Sequence, residues 1–200
     1  MFRSAPPELL RALRLTIVVF VLTGIAYPLA VTGIAQAAFP AQSNGSLITR
    51  HGQVIGSALI GQYFTAPQYF HGRPSATVSA TGGRPLPYAA DNSGGSNLGP
   101  GNRALSDRVA SAARTIRSEN GLSPDARIPV DLVTTDFSGL DPDITEAAAL
   151  IQVDRVARAR GLNPARVRAL VEQNVQGRVL FIFGEPHVNV LLLNLALDGG

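Results

Sequence analysis

From Leu15 to Phe39 the chain reads LTIVVFVLTGIAYPLAVTGIAQAAF, twenty-five residues without a charge, with Arg14 before the run and Arg50 the next charge after it. As an α-helix such a run covers about 37 Å at about 1.5 Å per residue, against roughly 30 Å of hydrocarbon in a bilayer. A soluble core helix has no use for so much uninterrupted apolar length at an N-terminus. The run reads as a single transmembrane helix. It divides the chain into an N-terminus over 1–14, a membrane helix over 15–39 and one globular domain over 40–200, a length that can bury its own core.

Arg3, Arg11 and Arg14 precede the span, offset only by Glu8, and no basic residue follows it until Arg50. The positive-inside rule then keeps the N-terminus in the cytoplasm and sends the domain across the membrane. The expected location is the cytoplasmic (inner) membrane, single-pass, with the main domain outside. The competing reading is a cleaved signal peptide, since Ala35-Gln36-Ala37 before Ala38 matches a small-x-small cleavage pattern, although the apolar run exceeds the usual signal length. Within the span, Gly24, Tyr27, Pro28, Thr32, Gly33 and Gln36 exceed what a lipid-facing helix needs. Small and hydroxyl residues let helix backbones approach, so they read as a docking face toward other membrane helices, the alternative being a membrane helix that merely tolerates them.

All seventeen basic residues are arginine, and the chain has no lysine and no cysteine. Schiff-base and P-loop lysines, disulfides, thiolate zinc sites and cysteine nucleophiles are thereby excluded. The pI near 9.9 suggests nucleic acid. Beyond the span, however, the charges nearly balance and no basic run occurs, so no nucleic-acid partner is expected.

The domain should open with a hairpin-like pair of strands, 46–49 and 53–60, around His51-Gly52. Tyr63, Phe64, Tyr69 and Phe70 follow, either pinning a loop into the core or forming a contact surface. Residues 81–102 lack periodicity. Leu105, Val109, Ala112, Ala113 and Ile116 recur at helical spacing and Gly121 can end that helix. Pro129–Val133 reads as a short strand. A long helix is expected over 144–160 with Gly161 as a left-handed cap, and another from Asn163-Pro164 to near Gly177. Val179–Phe183 and Val188–Leu195 read as two buried strands. The expected fold class is α+β, one N-terminal transmembrane helix followed by a single mixed α+β extracytoplasmic domain, with strands at the two ends of the sequence.

Candidate chemistry is sparse. The glycine-rich stretch Ser93, Gly94, Gly95, Ser96 and Asn97 could form an anion nest of backbone N–H groups before a helix, or a structural turn. Asp136, Asp141 and Asp143 lack the full calcium-loop pattern, and helix capping explains them more simply. His51, His71 and His187 are scattered, no G-x-S-x-G elbow occurs, and Glu185 before Pro186 suits a turn closed by an arginine. No metal site and no catalytic residue emerges. The residues point to an accessory or binding protein.

Taken together, ordered blocks across nearly the whole chain resemble the C subunit of the Kdp-type potassium-transporting P-type ATPase. They are Gly24–Pro28 with Thr32–Gln36, Asn44–Ile48, GSALIGQYF at 56–64, FHGRPSA at 70–76, NSGGSNLGP at 92–100, PVDLVTTDFSGLDPDIT at 129–145, QVDRVARARGL at 152–162 and GEPHVNVLLLNLALD at 184–198. Thr135-Asp136-Phe137, Asp143, Gly101 and His187 depart from the usual family wording. The resemblance implies a non-catalytic accessory subunit of an ATP-driven, high-affinity potassium uptake complex. Its partners would be a channel-like potassium-translocating membrane subunit and an ATP-hydrolysing P-type subunit. It further implies a catalytic chaperone that raises the ATP affinity of the hydrolysing subunit, with Ser93–Asn97 as a nucleotide-contacting loop and no cofactor beyond ATP acting through that subunit. The orientation argument conflicts with nucleotide contact, because a domain outside the membrane does not meet cytoplasmic ATP. Coupling through the membrane subunits then carries any effect. The alternative is a secreted or membrane-anchored hydrolase or ligand-binding domain with a cleaved signal peptide.

Overall fold

A computed structural model describes residues 7–199, so Arg3 lies outside the described residues. The chain divides into two compact units, Met1–Leu47 and Ile48–Gly200. In the first, α1 (Pro7–Val21), a π-helical turn (Leu22–Ala26) and α2 (Tyr27–Ala38) run on as one helix. The helix thus begins eight residues before the uncharged run, taking in Arg11 and Arg14. The π turn has a local cause. Pro28 has no N–H to offer Gly24 and its ring crowds that carbonyl, so the preceding turn widens and the Tyr27 N–H donates to the Leu22 carbonyl. None of this helix is buried in the chain's own fold. The short α3 (Pro40–Ser43) follows, and Asn44 and Gln36 exchange side-chain amide hydrogen bonds at 3.0 and 3.3 Å.

The second unit mixes helices and sheets. β1 (Leu47–Arg50) and β2 (Gln53–Ser57) form the expected hairpin, its turn made by His51 and Gly52 at φ 51° and 77°. α4 (Arg103–Asn120) is capped by Asn102, whose side chain accepts from the Ala104 N–H, and ends at Gly121 in the left-handed region. The remaining elements enclose the core: β3 (Asp143–Thr145), α5 (Glu146–Leu150), α6 (Val153–Arg160), α7 (Pro164–Gln173), β4 (Val175–Gln176), β5 (His187–Asn189) and α8 (Val190–Leu197). β5 is central in an antiparallel sheet ordered β3-β5-β4, and Val188 faces both Ile144 and Val175 in register. Helices α5 to α8 pack with this small sheet around Phe70, Ile144, Val153, Val156, Val167, Val171, Val188 and Leu193.

Four expectations are corrected. Val188–Leu195 is mostly helix, because Asn189 caps α8 by accepting from the Leu192 N–H and the leucines are good helix formers. Its all-round apolarity reflects burial. Val179–Phe183 is an exposed tight loop and not a buried strand. Pro129–Val133 contains a 3-10 turn over Val130–Leu132, closed by the Leu132 N–H on the Pro129 carbonyl. The long helix over 144–160 is divided, since Ile144 pairs in the sheet, Thr145 caps α5, and the helix breaks again at Ile151–Gln152. The second sheet consequently lies across the C-terminal half and not at the chain's end.

The acids behave differently from helix caps. The Asp136 carboxylate accepts from the N–H groups of Gly139 and Asp141 and folds the 136–141 turn. Asp141 pairs with Arg73 at 3.0 Å and accepts from the Asp143 N–H. The cap of α5 is Thr145.

Candidate functional site

Residues 67–71 carry the aromatic segment into the core, and a ring of polar side chains holds their backbone. Asn194 accepts from the Phe70 N–H at 2.8 Å and donates to the Phe70 carbonyl at 3.0 Å. Gln152 brackets His71 in the same way at 2.8 and 3.1 Å. Arg155 Nη1 donates to the carbonyls of Pro67 and Tyr69 at 2.7 and 2.9 Å, and Arg160 Nε donates to Gln68 at 2.7 Å. A non-repetitive segment brought into a core needs such partners, because buried backbone groups left unpaired are costly. Phe70 is thereby fully buried, while Tyr69 lies under the Arg160 guanidinium, 4.9 Å from the ring centre, and Tyr63 stays exposed. The aromatic cluster is divided between core and surface.

Arg155 is the charged centre of this arrangement. Its guanidinium is buried, donates also to Asn120 Oδ1 at 3.0 Å and Gln152 Oε1 at 2.6 Å, and among the described residues has no carboxylate in contact. Burial lowers its pKa from the ordinary value, and the charge of Glu119 opposes that shift.

Beside this network lies a cleft of about 380 Å³ between α4 and residues 62–74, with Phe64, Ile116 and Leu132 on its apolar side and His71, Arg73 and Arg108 on its polar side. His71 Nε2 lies 3.2 Å from the Ala66 carbonyl and Nδ1 3.7 Å from Glu119. Its pKa is lowered, first by burial and then by Arg155. The Tyr88 hydroxyl donates to the Arg73 carbonyl, and burial, followed by the nearby charges of Asp136 and Asp141, holds its pKa above the ordinary range. Both groups therefore stay neutral at physiological pH. Among the described residues no three His, Asp or Glu side chains cluster as metal ligands would.

The glycine-rich loop stands elsewhere in the same unit. The Ser93 hydroxyl and the Gly94 N–H both donate to the Ser138 carbonyl, at 3.0 and 2.8 Å. A Cβ on Gly95 would come within 3.1 Å of the carbonyl oxygens of Asp136 and Phe137, so the absence of a side chain permits the close approach. Ser96 accepts from the Thr135 hydroxyl at 3.4 Å, and Asn97 is left-handed at φ 52°. With residues 134–137 the loop borders a cavity of about 200 Å³.

The helix candidates form a surface of their own. Gly24, Pro28, Thr32 and Gln36 follow one another four residues apart, with Tyr27 and Gly33 flanking that ridge. All six are exposed. Sequence reasoning passed over Arg155, Gln152, Asn120 and Asn194. Their signal was available as polar residues on otherwise apolar faces, most visibly Asn194 inside LLLNLAL.

Comparison with known proteins gives the family. Three curated relatives, from Bradyrhizobium diazoefficiens, Rhodopseudomonas palustris (strain BisB18) and Methylobacterium nodulans, are each 56% identical to the chain. The alignments cover 96–99% of this chain and 96–98% of each relative, and all three carry the name potassium-transporting ATPase KdpC subunit. The family model KdpC, described as the c chain of the K+-transporting ATPase, matches residues 9–199, and the chain belongs to that family.

Proposed function

We propose that the chain is a non-catalytic accessory subunit of an ATP-driven potassium uptake complex. In this reading the helix Pro7–Ala38 anchors it in the cytoplasmic membrane with its N-terminus inside, and the second unit works outside. The observation that carries the reading is a 32-residue helix with an apolar stretch long enough to cross a membrane and no residue buried in the chain's own fold, in a chain matched to KdpC relatives over nearly its full length. Such a helix is completed only by lipid and by other membrane helices. The partners are a channel-like potassium-translocating subunit and an ATP-hydrolysing subunit. ATP acts through the latter, and the chain raises its ATP affinity as a coupling free energy transmitted through the membrane subunits. The loop Ser93–Asn97 then works as a structural clasp on residues 135–138, which its hydrogen bonds to Ser138 and Thr135 support. The test is intact mass of the detergent-extracted protein together with its co-purifying partners. An uncleaved N-terminus and two larger membrane subunits are expected. A mature chain beginning near Ala38 that purifies alone would overturn the proposal, and cytoplasmic labelling of single cysteines introduced at 92–100 would overturn the orientation.

A further inference from the structure

Between Arg178 and Glu185 the chain reads VLFIFG, and its five large apolar residues project from the fold with almost no cover. Phe181 is 96% exposed, Leu180 74% and Ile182 70%. Exposed apolar residues scattered singly are ordinary, whereas five in succession mark a contact surface. The loop is also shaped to hold them outward. Leu180 and Phe181 take left-handed φ values of 52° and 63°, unfavourable for residues with a Cβ, and a bridge between Val179 and Phe183 closes the turn.

The backbone indicates what covers it. Val179 and Phe183 exchange N–H···O bonds at 2.9 Å, Phe181 donates to the Arg178 carbonyl, and Ile182 donates to the Val179 carbonyl, both at 3.2 Å. Four of the five N–H groups at the tip, and the carbonyls of Val179 and Phe183 at its base, are satisfied within the loop itself. A strand edge that recruits a partner chain presents open N–H and C=O groups. A segment that enters lipid must close them internally. The charges fit the same occupant: the tip has none, and at its neck Arg178 and Glu185 pair at 2.8 Å, where headgroups would solvate them.

We infer that Val179–Phe183 is a membrane-interface wedge that dips into the lipid surface. This rests on the reading of Pro7–Ala38 as a membrane anchor. The chain has no tryptophan, so Phe181→Trp in the full-length chain gives a single tryptophan, excited apart from the tyrosines at the red edge, at a solvent-exposed position. In phosphatidylcholine vesicles its emission should shift to the blue, resist acrylamide, and be quenched by brominated acyl chains at least about twofold more than in the presence of unbrominated lipid. Emission that stays at the aqueous maximum and is open to acrylamide overturns the wedge. So does a residue shielded from both quenchers, which is the signature of a second copy, and so does quenching that requires the partner subunits. Alkaline carbonate separates the two readings: release from the vesicles overturns the anchor itself, while retention without bromine quenching overturns the wedge alone.

Discussion

The guanidinium of Arg155 meets the side-chain carbonyl of Asn120 in the interior, with Nε 3.0 Å from Oδ1 and both residues buried. A cation from α6 is thereby tied to the last residue of α4, while its Nη1 holds the Pro67 and Tyr69 carbonyls and its Nη2 donates to Gln152. Replacing Arg155 with Met would leave two backbone carbonyls and two side-chain oxygens without their donor. The expected loss is roughly 3–5 kcal/mol of unfolding free energy. Arg155→Lys should recover only part of it, since an ammonium lacks the planar fork that reaches several acceptors at once. Urea unfolding of the detergent-solubilised chain by circular dichroism measures both.

His71 gives a pH dependence with a definite sign. Burial, then repulsion from Arg155, lowers its folded-state pKa below the ordinary 6.5, against opposing contributions from the Ala66 carbonyl and Glu119. The unfolded chain therefore binds the proton at higher pH than the folded one. The stability contribution is present above about pH 6.5 and is lost as pH falls through the lowered folded value. Wild type should lose more stability than His71→Gln between neutral pH and about pH 5, as urea midpoints across that range would report. Parallel curves would sink the assignment.

Gly139 is the keystone of the clasp on the glycine-rich loop. It has φ +68°, and a Cβ there would come within 2.9 Å of the Gly94 carbonyl. Gly139→Ala is thus both strained and crowded, with an expected cost of about 2 kcal/mol. Its local signature is faster amide exchange at Gly94, whose N–H donates to Ser138. Unchanged exchange at 92–97 would mean that the clasp does not order the loop.

The apolar N-terminal helix supplies a test of docking. A Cβ at Gly33 meets nothing within 4 Å, and one at Gly24 meets only the Phe20 ring at 3.6 Å. Leucine at either position is therefore tolerated by the helix itself and adds apolar length. Gly24→Leu and Gly33→Leu should insert normally yet reduce co-purification of partner subunits several-fold, since small residues permit close helix approach. Equal recovery of partners with both variants would remove the docking face.

Local chemistry was legible wherever one residue type had one physical use. The His51-Gly52 turn, the Gly121 and Gly161 left-handed caps and the Asn163-Pro164 helix start all depend on neighbours in sequence, and all stand in the structure. Glu185 likewise finds the expected arginine, Arg178. Short apolar runs were ambiguous, because helix and strand share that composition. Val188–Leu195 became helical through the Asn189 cap, while Val179–Phe183, equally apolar, was left outside the core.

By itself the sequence determined an N-terminal helix long and apolar enough to cross a membrane, since twenty-five successive residues carry no charge. It also determined the caps and turns, and through its ordered motifs the family. Only the tertiary structure decided which polar residues go inside. Arg155, Gln152 and Asn194 hold residues 67–71 across sequence separations of up to 124 positions, and Asn120 accepts from Arg155. A buried polar group is stable only with its partner in place, and no local pattern specifies where that partner will be.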